Sequence, residues 1–116
     1  MLLKPPCLNK IEEAKQTGYI VTLLFFWLQT VELAKERVRV RVSEGGHNIE
    51  VEIIERRYRK GVKNLFDIYL PIVDGAFIFN NSFGKPELLV QKMSNEEYTV
   101  INEIKFSELK KLYDNN

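Results

Sequence analysis

The sequence is poor in the residues that small proteins use for crosslinks and metal sites. Its 116 residues include one cysteine, Cys7, and one histidine, His47. A single cysteine excludes an intrachain disulfide and a cysteine-rich zinc site, and it favours a reducing compartment. One histidine gives no support for a histidine metal site or for a Ser-His-Asp arrangement with a spare base. The sequence therefore predicts neither a disulfide scaffold nor a metal site.

Long apolar runs and phosphate-binding loops are also lacking. The longest apolar run, residues 19–28, is about half of the roughly 20 residues that span a bilayer. Residues 1–6 do not have the charged and then apolar pattern of a signal sequence. No Gly-x-x-x-x-Gly-Lys-Ser/Thr occurs in the chain. These absences predict a cytoplasmic protein with no membrane partner and no phosphate-binding loop of its own.

The charges that are present are unevenly placed. Hydrophobic residues make up 45% of the chain and charged residues 28%, which suits one globular domain over residues 1–116. The net charge is only +1, but residues 35–63 hold nine basic and five acidic side chains, so they carry +4 and the rest carries −3. All of the arginines lie in this segment: Arg37, Arg39, Arg41, Arg56, Arg57 and Arg59. This asymmetry is the first indication of function.

The pattern of apolar and turn residues predicts an α/β fold. Asn9 and Glu12 have the spacing of a capping pair for a helix at 10–17 that Gly18 closes. The apolar run at 19–28 is typical of a strand that is covered on both faces at the centre of a parallel sheet, with Trp27 in the core. Further along we expect a strand at 76–80, a hairpin of 88–93 with 98–101 around Ser94-Asn95, and a closing helix at 105–113.

Residues 31–42 allow two interpretations. Thr30 can cap a helix in which Ala34, Val38 and Val42 share one face. The stretch from Arg37 to Val42 also alternates with period two, and Gly45-Gly46 can close it into a hairpin with residues 49–53. The residues of this segment alone favour neither the helix nor the hairpin. The next segment, 54–69, has one apolar stripe at helical spacing, and Pro71 is predicted to end that helix.

The candidate anion-binding residues surround one glycine turn: Arg37, Arg41, Gly45, Gly46, His47, Arg56 and Arg57. On helices, the arginines of both flanks would project towards one place, and guanidinium groups fit phosphate oxygens in pairs. The alternative is a solvated surface in which Glu52 pairs with Arg56 and Glu55 with Arg59, and composition alone favours it. Nucleic-acid binding has less support, because no aromatic residues alternate with the basic ones.

His47 and Asp74 carry side chains that could take part in catalysis or ligand binding. His47 in a turn is more often a cap or a surface group than a general base. Asp74 precedes a strand and could bind a metal or a hydroxyl group, although an aspartate that initiates a turn is the more common case. The sequence therefore assigns no general base.

Residues 17–74 closely resemble the C-terminal half of zeta-toxin-like P-loop kinases. The matching motifs are Arg-Val-x-x-Arg-Val ending at Arg41-Val42, Gly-Gly-His-x-Ile at 45–49, and Ile-x-Arg-Arg-Tyr at 54–58 followed by Gly-x-x-Asn-Leu at 61–65. The resemblance implies a P-loop nucleotide-kinase-like fold in which this region forms a helical lid over the phosphates of ATP with Mg²⁺. It favours a helix for residues 37–42.

The resemblance also assigns roles to the arginines. Arg41 and Arg57 stand at the family's arginine positions and would be catalytic contacts to the transferring phosphate. Arg37, Arg56 and the Gly45-Gly46-His47 turn would support cofactor binding. The implied reaction is phosphoryl transfer to a small hydroxylated substrate such as a nucleotide-sugar, and an arginine placed there can contribute about 10³ to 10⁵ in rate.

The departures from the family pattern leave a second interpretation open. Glu50 stands where proline is usual, Ser43 where arginine is common, and Asn80 where aspartate is expected. The family's phosphate loop and catalytic base precede the matched region. The strand at 19–28 would then expose an apolar edge, which predicts self-association or binding of a complementary N-terminal fragment. The alternative function is a non-catalytic remnant or interaction module that binds an antitoxin.

Overall fold

The computed structural model describes residues 8–93 and 97–115. The helices are α1 (Leu8–Gln16), α2 (Val31–Ser43), α3 (Val51–Asn64), α4 (Leu70–Ile72) and α5 (Glu103–Asp114), with a π turn (Leu65–Tyr69) between α3 and α4. The strands are β1 (Thr22–Trp27), β2 (Gly75–Asn80), β3 (Glu87–Lys92) and β4 (Thr99–Val100). The chain is therefore α/β, as the sequence predicts. No helix in the described part is long and apolar enough to cross a bilayer.

The four strands form one mixed sheet in the order β1-β2-β3-β4. β1 and β2 are parallel, with Phe25 opposite Ile78, and a long helical connection joins them. β3 is antiparallel to both of its neighbours, β2 and β4, and its pairing with β4 confirms the predicted C-terminal hairpin. The predicted turn of that hairpin, Ser94-Asn95, lies outside the described residues.

The core lies between one face of the sheet and the helices. Trp27 is 2% exposed and anchors this face at the end of β1, as predicted. The other buried core residues come from the sheet, the π turn and the helices: Val62, Leu65, Leu70, Val73, Ala76, Ile78, Leu89, Val90 and Leu109. Burying these aliphatic side chains stabilises the fold through removal of apolar surface from water.

The prediction for β1 was wrong in its position and its burial. The strand begins at Thr22 instead of residue 19, and it lies at the edge of the sheet. Leu24 is 57% exposed and Phe26 is 51% exposed, because these side chains point away from the core face. Continuous apolarity did not distinguish a strand covered on both faces from one with an open face.

Residues 31–43 form the helix α2, so the hairpin alternative is wrong. The Thr30 hydroxyl accepts a hydrogen bond of 3.2 Å from the Leu33 amide, which confirms the predicted cap. The helix ends in a Schellman motif, in which the Gly46 amide bonds to the Arg41 carbonyl at 2.8 Å and the Gly45 amide to the Val42 carbonyl at 3.0 Å. These bonds hold the glycines at a helix end, where they do not form a hairpin turn.

Two predicted helix boundaries were wrong. α1 begins at Leu8, so Asn9 lies inside the helix and is not its cap, whereas Gly18 follows the helix end with a φ of +90°. Helical structure after α3 continues through the π turn and ends at Ile72, beyond Pro71. Proline fits there because it sits in the first turn of α4, where its missing amide hydrogen is tolerated.

Candidate anion-binding cleft

An open cleft of about 300 Å³ lies between α2 and α3, beside the carboxyl end of β1. Its lining is Leu28, Ala34, Arg37, Val38, Arg41, Ile49, Ile54, Arg57 and Tyr58. Three of these described residues are arginines and none is a carboxylate. The cleft therefore combines an apolar floor with cationic side chains, and we call it the arginine cleft.

Helix α2 supplies Arg37 and Arg41. The two residues are four positions apart, so they project from the same face of the helix, as the sequence predicts. The Arg37 guanidinium donates a 2.6 Å hydrogen bond to the backbone carbonyl of Asn81, which follows β2. Arg37 therefore joins α2 to the carboxyl edge of the sheet, and this bond uses one of its N–H donors.

Helix α3 supplies Arg57 and is held against β1 by the next residue. The Tyr58 hydroxyl donates a 2.5 Å hydrogen bond to the carbonyl of Leu28. Burial raises the pKa of the Tyr58 phenol, which keeps this donor protonated. The buried indole NH of Trp27 lies near this hydroxyl but outside hydrogen-bond geometry. Tyr58 thus fixes the face of α3 from which Arg57 projects.

Two acidic residues of this segment, Glu36 and Glu55, pair away from the cleft. The Lys35 ammonium and the Glu55 carboxylate are 2.8 Å apart and bridge α2 to α3. A hydrogen bond from Lys35 lowers the pKa of the Glu55 carboxyl and raises that of Lys35. Arg39 pairs with Glu36 on the exposed side of α2. Within the described residues Arg41 and Arg57 form no ion pair, so their charges remain available at the cleft.

The glycine turn shapes the cleft without lining it. Gly45 has a φ of +96°, a conformation that glycine adopts far more readily than other residues. A Cβ atom on Gly46 would lie 2.8 Å from the Arg41 carbonyl oxygen and 2.9 Å from its Cγ atom. The two glycines therefore set the end of α2 and allow close contact with Arg41.

Besides the two glycines, two further predicted contacts lie outside the arginine cleft. Arg56 and His47 are exposed and neither lines it. Successive residues on a helix are about 100° apart, so Arg56 cannot share the direction of Arg57. The sequence did not identify Leu28, Ile49 or the role of Tyr58, since apolar residues at helical spacing indicate only a buried face.

A hydrogen-bonded polar cluster borders the cleft at the carboxyl edge of β1 and β2. The Ser82 hydroxyl accepts a hydrogen bond of 2.9 Å from the backbone amide of Gln29 and donates one of 2.6 Å to the Asn80 side-chain oxygen. The Asn80 side-chain amide donates to the Gln29 side chain at 3.0 Å. Asn80 and Ser82 are both buried. These bonds fix the segment whose Asn81 carbonyl binds Arg37.

Asp74 has a structural role at the other edge of the sheet. Its carboxylate accepts a 2.8 Å hydrogen bond from the Val21 amide, just before β1. Its second oxygen lies 3.8 Å from the Lys15 ammonium. The residue is 8% exposed and joins the start of β1 to the start of β2.

Comparison with known proteins leaves the family open. No family model matches the chain, and no solved structure matches it. An uncharacterized protein of Haemophilus influenzae is 33% identical over 51 residues, which are 44% of this chain and 36% of that protein. The matched part thus spans about a third of the relative's length, and the name of the relative carries no activity.

Proposed function

We propose that the arginine cleft binds a phosphorylated ligand, as the lid of an ATP-dependent kinase similar to the zeta-toxin family. The observation that carries the proposal is the position of Arg37, Arg41 and Arg57 around one cleft whose described lining has no carboxylate. A surface of solvated ion pairs would instead bring acidic side chains next to these arginines. The excess positive charge therefore favours an anionic partner.

The surroundings of the cleft favour a phosphoryl group. Arginine donors in a planar fork match phosphate oxygens in pairs, and a charged hydrogen bond contributes about 1.5 to 3 kcal/mol. The floor of Leu28, Ile49 and Ile54 excludes water on one side, which strengthens charge interactions. The volume of about 300 Å³ is at the small end of ligand sites, so it suits the phosphates of a ligand better than a whole nucleotide.

The residues take different roles in this proposal. Arg41 and Arg57 would contact the transferring phosphate, while Arg37 positions α2 through its bond to the Asn81 carbonyl. Guanidinium groups fit the phosphates of ATP but do not bind Mg²⁺, which takes oxygen ligands. Mg²⁺ would therefore be held by the phosphates and by oxygen ligands outside this cleft. The acceptor would be a small hydroxylated molecule such as a nucleotide-sugar.

The phosphate-binding loop of such a kinase would come from outside these 116 residues. The open edge of β1 offers a place for it, because a strand that carries the loop can pair with that edge, and elements packed on the open face of the extended sheet can cover Leu24 and Phe26. The same edge favours the second candidate function, an interaction module. In that case an antitoxin or a second copy of the chain would occupy the edge instead.

Titration with tripolyphosphate by calorimetry tests the anion site. We expect Arg41→Ala and Arg57→Ala each to weaken binding by about 10- to 100-fold, as loss of a charged hydrogen bond implies. Arg39→Ala is the matched control, since Arg39 pairs with Glu36 and does not line the cleft. Equal losses in all three variants would show nonspecific charge attraction and would contradict the proposal.

A second measurement separates the kinase from the interaction module. Nucleotide binding is compared with and without an added N-terminal fragment that carries a phosphate loop. Binding that appears only with the fragment supports the kinase, and Arg41→Ala should then reduce phosphate transfer more than nucleotide affinity. Absence of nucleotide binding in both mixtures, together with recovery of an antitoxin-like partner from the host, supports the interaction module.

A further inference from the structure

A second and larger cleft lies on a different part of the molecule. It has a volume of about 630 Å³ and opens between the π turn, the β3–β4 hairpin and α5. Its lining is Phe66, Leu70, Pro71, Lys92, Glu97, Tyr98, Lys110 and Tyr113. None of these residues lines the arginine cleft. The volume is in the range of small-molecule sites.

Aromatic rings form one wall of this cleft. The Phe66 ring centroid lies 4.7 Å from that of Tyr113 and 6.1 Å from that of Phe106. Tyr98 packs on Phe106 at 5.8 Å. The π turn places Phe66 in this group, and π segments within helices often occur at functional sites. The wall therefore offers ring faces and edges to a flat ligand.

Two ammonium groups reach the same cleft. The Lys110 ammonium lies 4.9 Å from the ring centroids of both Phe66 and Tyr113. The Lys92 ammonium donates 2.8 Å hydrogen bonds to the carbonyls of Leu70 and Val73, so these bonds fix its position at the wall. A lysine ammonium has three donors, and Lys92 uses two of them in these bonds. Both cations are thus held in place next to the aromatic wall.

The acidic groups near the cleft only partly offset these cations. Glu97 is the one carboxylate among the described lining residues. Asp67 accepts a hydrogen bond from the Tyr113 hydroxyl and pairs with Lys63 at 3.4 Å on the outer side. The lining itself is therefore net positive, which disfavours a cationic ligand.

We propose that this cleft binds a small planar organic anion, of the aromatic carboxylate class. The ring of the ligand would pack against Tyr98 and Leu70, and its carboxylate would meet the ammonium groups of Lys92 and Lys110. A bare phosphate ion would satisfy the cations but leave the apolar wall in water. A neutral arene would leave the cations without a partner, so the two features together select a ligand with both parts.

The test uses 2-naphthoate as the probe, with ¹⁵N chemical shifts of the protein as the readout. We expect shifts around Phe66, Tyr98 and Tyr113, and binding weakened about tenfold by Lys110→Gln or Tyr98→Ala. Lys111→Gln is the matched control, because the neighbouring lysine does not line the cleft. The neutral analogue 2-naphthalenemethanol and the nonaromatic acetate should each bind more weakly than 2-naphthoate.

Several outcomes would overturn the proposal. Absence of shifts at these residues would do so, as would equal affinity for 2-naphthoate and its neutral analogue. Parent-like affinity for 2-naphthoate in both Lys110→Gln and Tyr98→Ala would also contradict the proposal. Both variants must be folded, which is checked by chemical shifts that match those of the parent away from the substituted residue. Arg57→Ala should leave 2-naphthoate binding unchanged, so this result and the test of the arginine cleft are independent. Loss of binding in Arg57→Ala would instead place the anion in the arginine cleft.

Discussion

Gly46 lies in the turn between α2 and α3 at a position that has no room for a Cβ atom. Its backbone lies so close to Arg41 that a Cβ atom would meet the Arg41 carbonyl oxygen at 2.8 Å. Because a backbone atom cannot move aside without breaking the Schellman bonds, we expect Gly46→Ala to lower the free energy of unfolding by about 1 to 3 kcal/mol. Urea denaturation followed by circular dichroism measures this change.

Gly61→Ala is the matched control, and we expect it to change the free energy of unfolding in the opposite direction. It lies inside α3, and a Cβ atom there would meet nothing within 4 Å. Alanine is favoured over glycine in a helix interior by about 0.5 to 1 kcal/mol, so Gly61→Ala should raise the free energy of unfolding. Equal destabilisation by both substitutions would show that the contact with Arg41 is not the cause.

The arginines show how well residue type and spacing predict which side chains line the arginine cleft. The four-residue interval predicted that Arg37 and Arg41 share a face, and both line the arginine cleft. Residue type could not separate Arg56 from Arg57, since both are exposed arginines of one helix. The rotation of α3 decides between them, and the bond from Tyr58 to the Leu28 carbonyl sets that rotation.

At the scale of elements, a side-chain hydrogen bond joins the π turn to α5. The Tyr113 hydroxyl donates to the Asp67 carboxylate. This bond lowers the pKa of Asp67 below its ordinary 3.8, with help from Lys63, and raises the pKa of Tyr113 above 10.0. The Asp67 contribution to stability is therefore present above pH 3.8 and lost as pH falls through the lowered value. The Tyr113 contribution is present below pH 10.0 and lost above its raised value.

Tyr113→Phe tests this link between the π turn and α5. We expect the variant to have a lower free energy of unfolding than the parent at neutral pH. The difference between the two free energies should shrink as pH falls below 3.8, the ordinary pKa of the Asp67 carboxyl. A ¹³C NMR titration should show the pKa of Asp67 rising in the variant. Tyr19→Phe is the control, since Tyr19 is 71% exposed. An unchanged Asp67 titration in Tyr113→Phe would contradict the assignment.

The α2 helix shows where local sequence leaves an element undecided. Alternation from Arg37 to Val42 suits a strand, while Ala34, Val38 and Val42 suit a helix. The cap at Thr30 and the Schellman bonds at Gly45 and Gly46 fix both ends as helical. Residues 37–42 therefore form no strand in the described sheet, whose order is β1-β2-β3-β4.

At the scale of the whole molecule, β1 is an edge strand of the described sheet, and its outer edge has no strand partner among the described residues. Its residues include no charge and no proline, the usual protections against edge pairing. Phe26 is 51% exposed and stacks on Phe79 at 5.2 Å, so the exposed face is apolar across two strands. We therefore expect the isolated chain to self-associate, and Phe26→Lys to shift it towards monomer in light scattering.

Phe83→Lys is the control for this prediction. Phe83 is 78% exposed but lies in the loop after β2 and is not part of the β1 strand. The substitution removes an exposed aromatic ring of the same kind and should leave association unchanged. A dilute, stable monomer of the parent chain would contradict self-association, and an equal effect of both substitutions would indicate nonspecific aggregation.

The sequence by itself determined the class of the fold, the position of β2 to within one residue, the cap of α2 and the segment that carries the candidate site. These follow from local causes, namely apolar spacing, capping side chains and glycine turns. Only the tertiary structure decided which face of β1 is open, that Arg57 and not Arg56 lines the arginine cleft, and that Lys92 and Lys110 line one cleft with aromatic residues. These depend on how elements distant in sequence pack, because burial and side-chain direction are set by contacts that no local pattern contains.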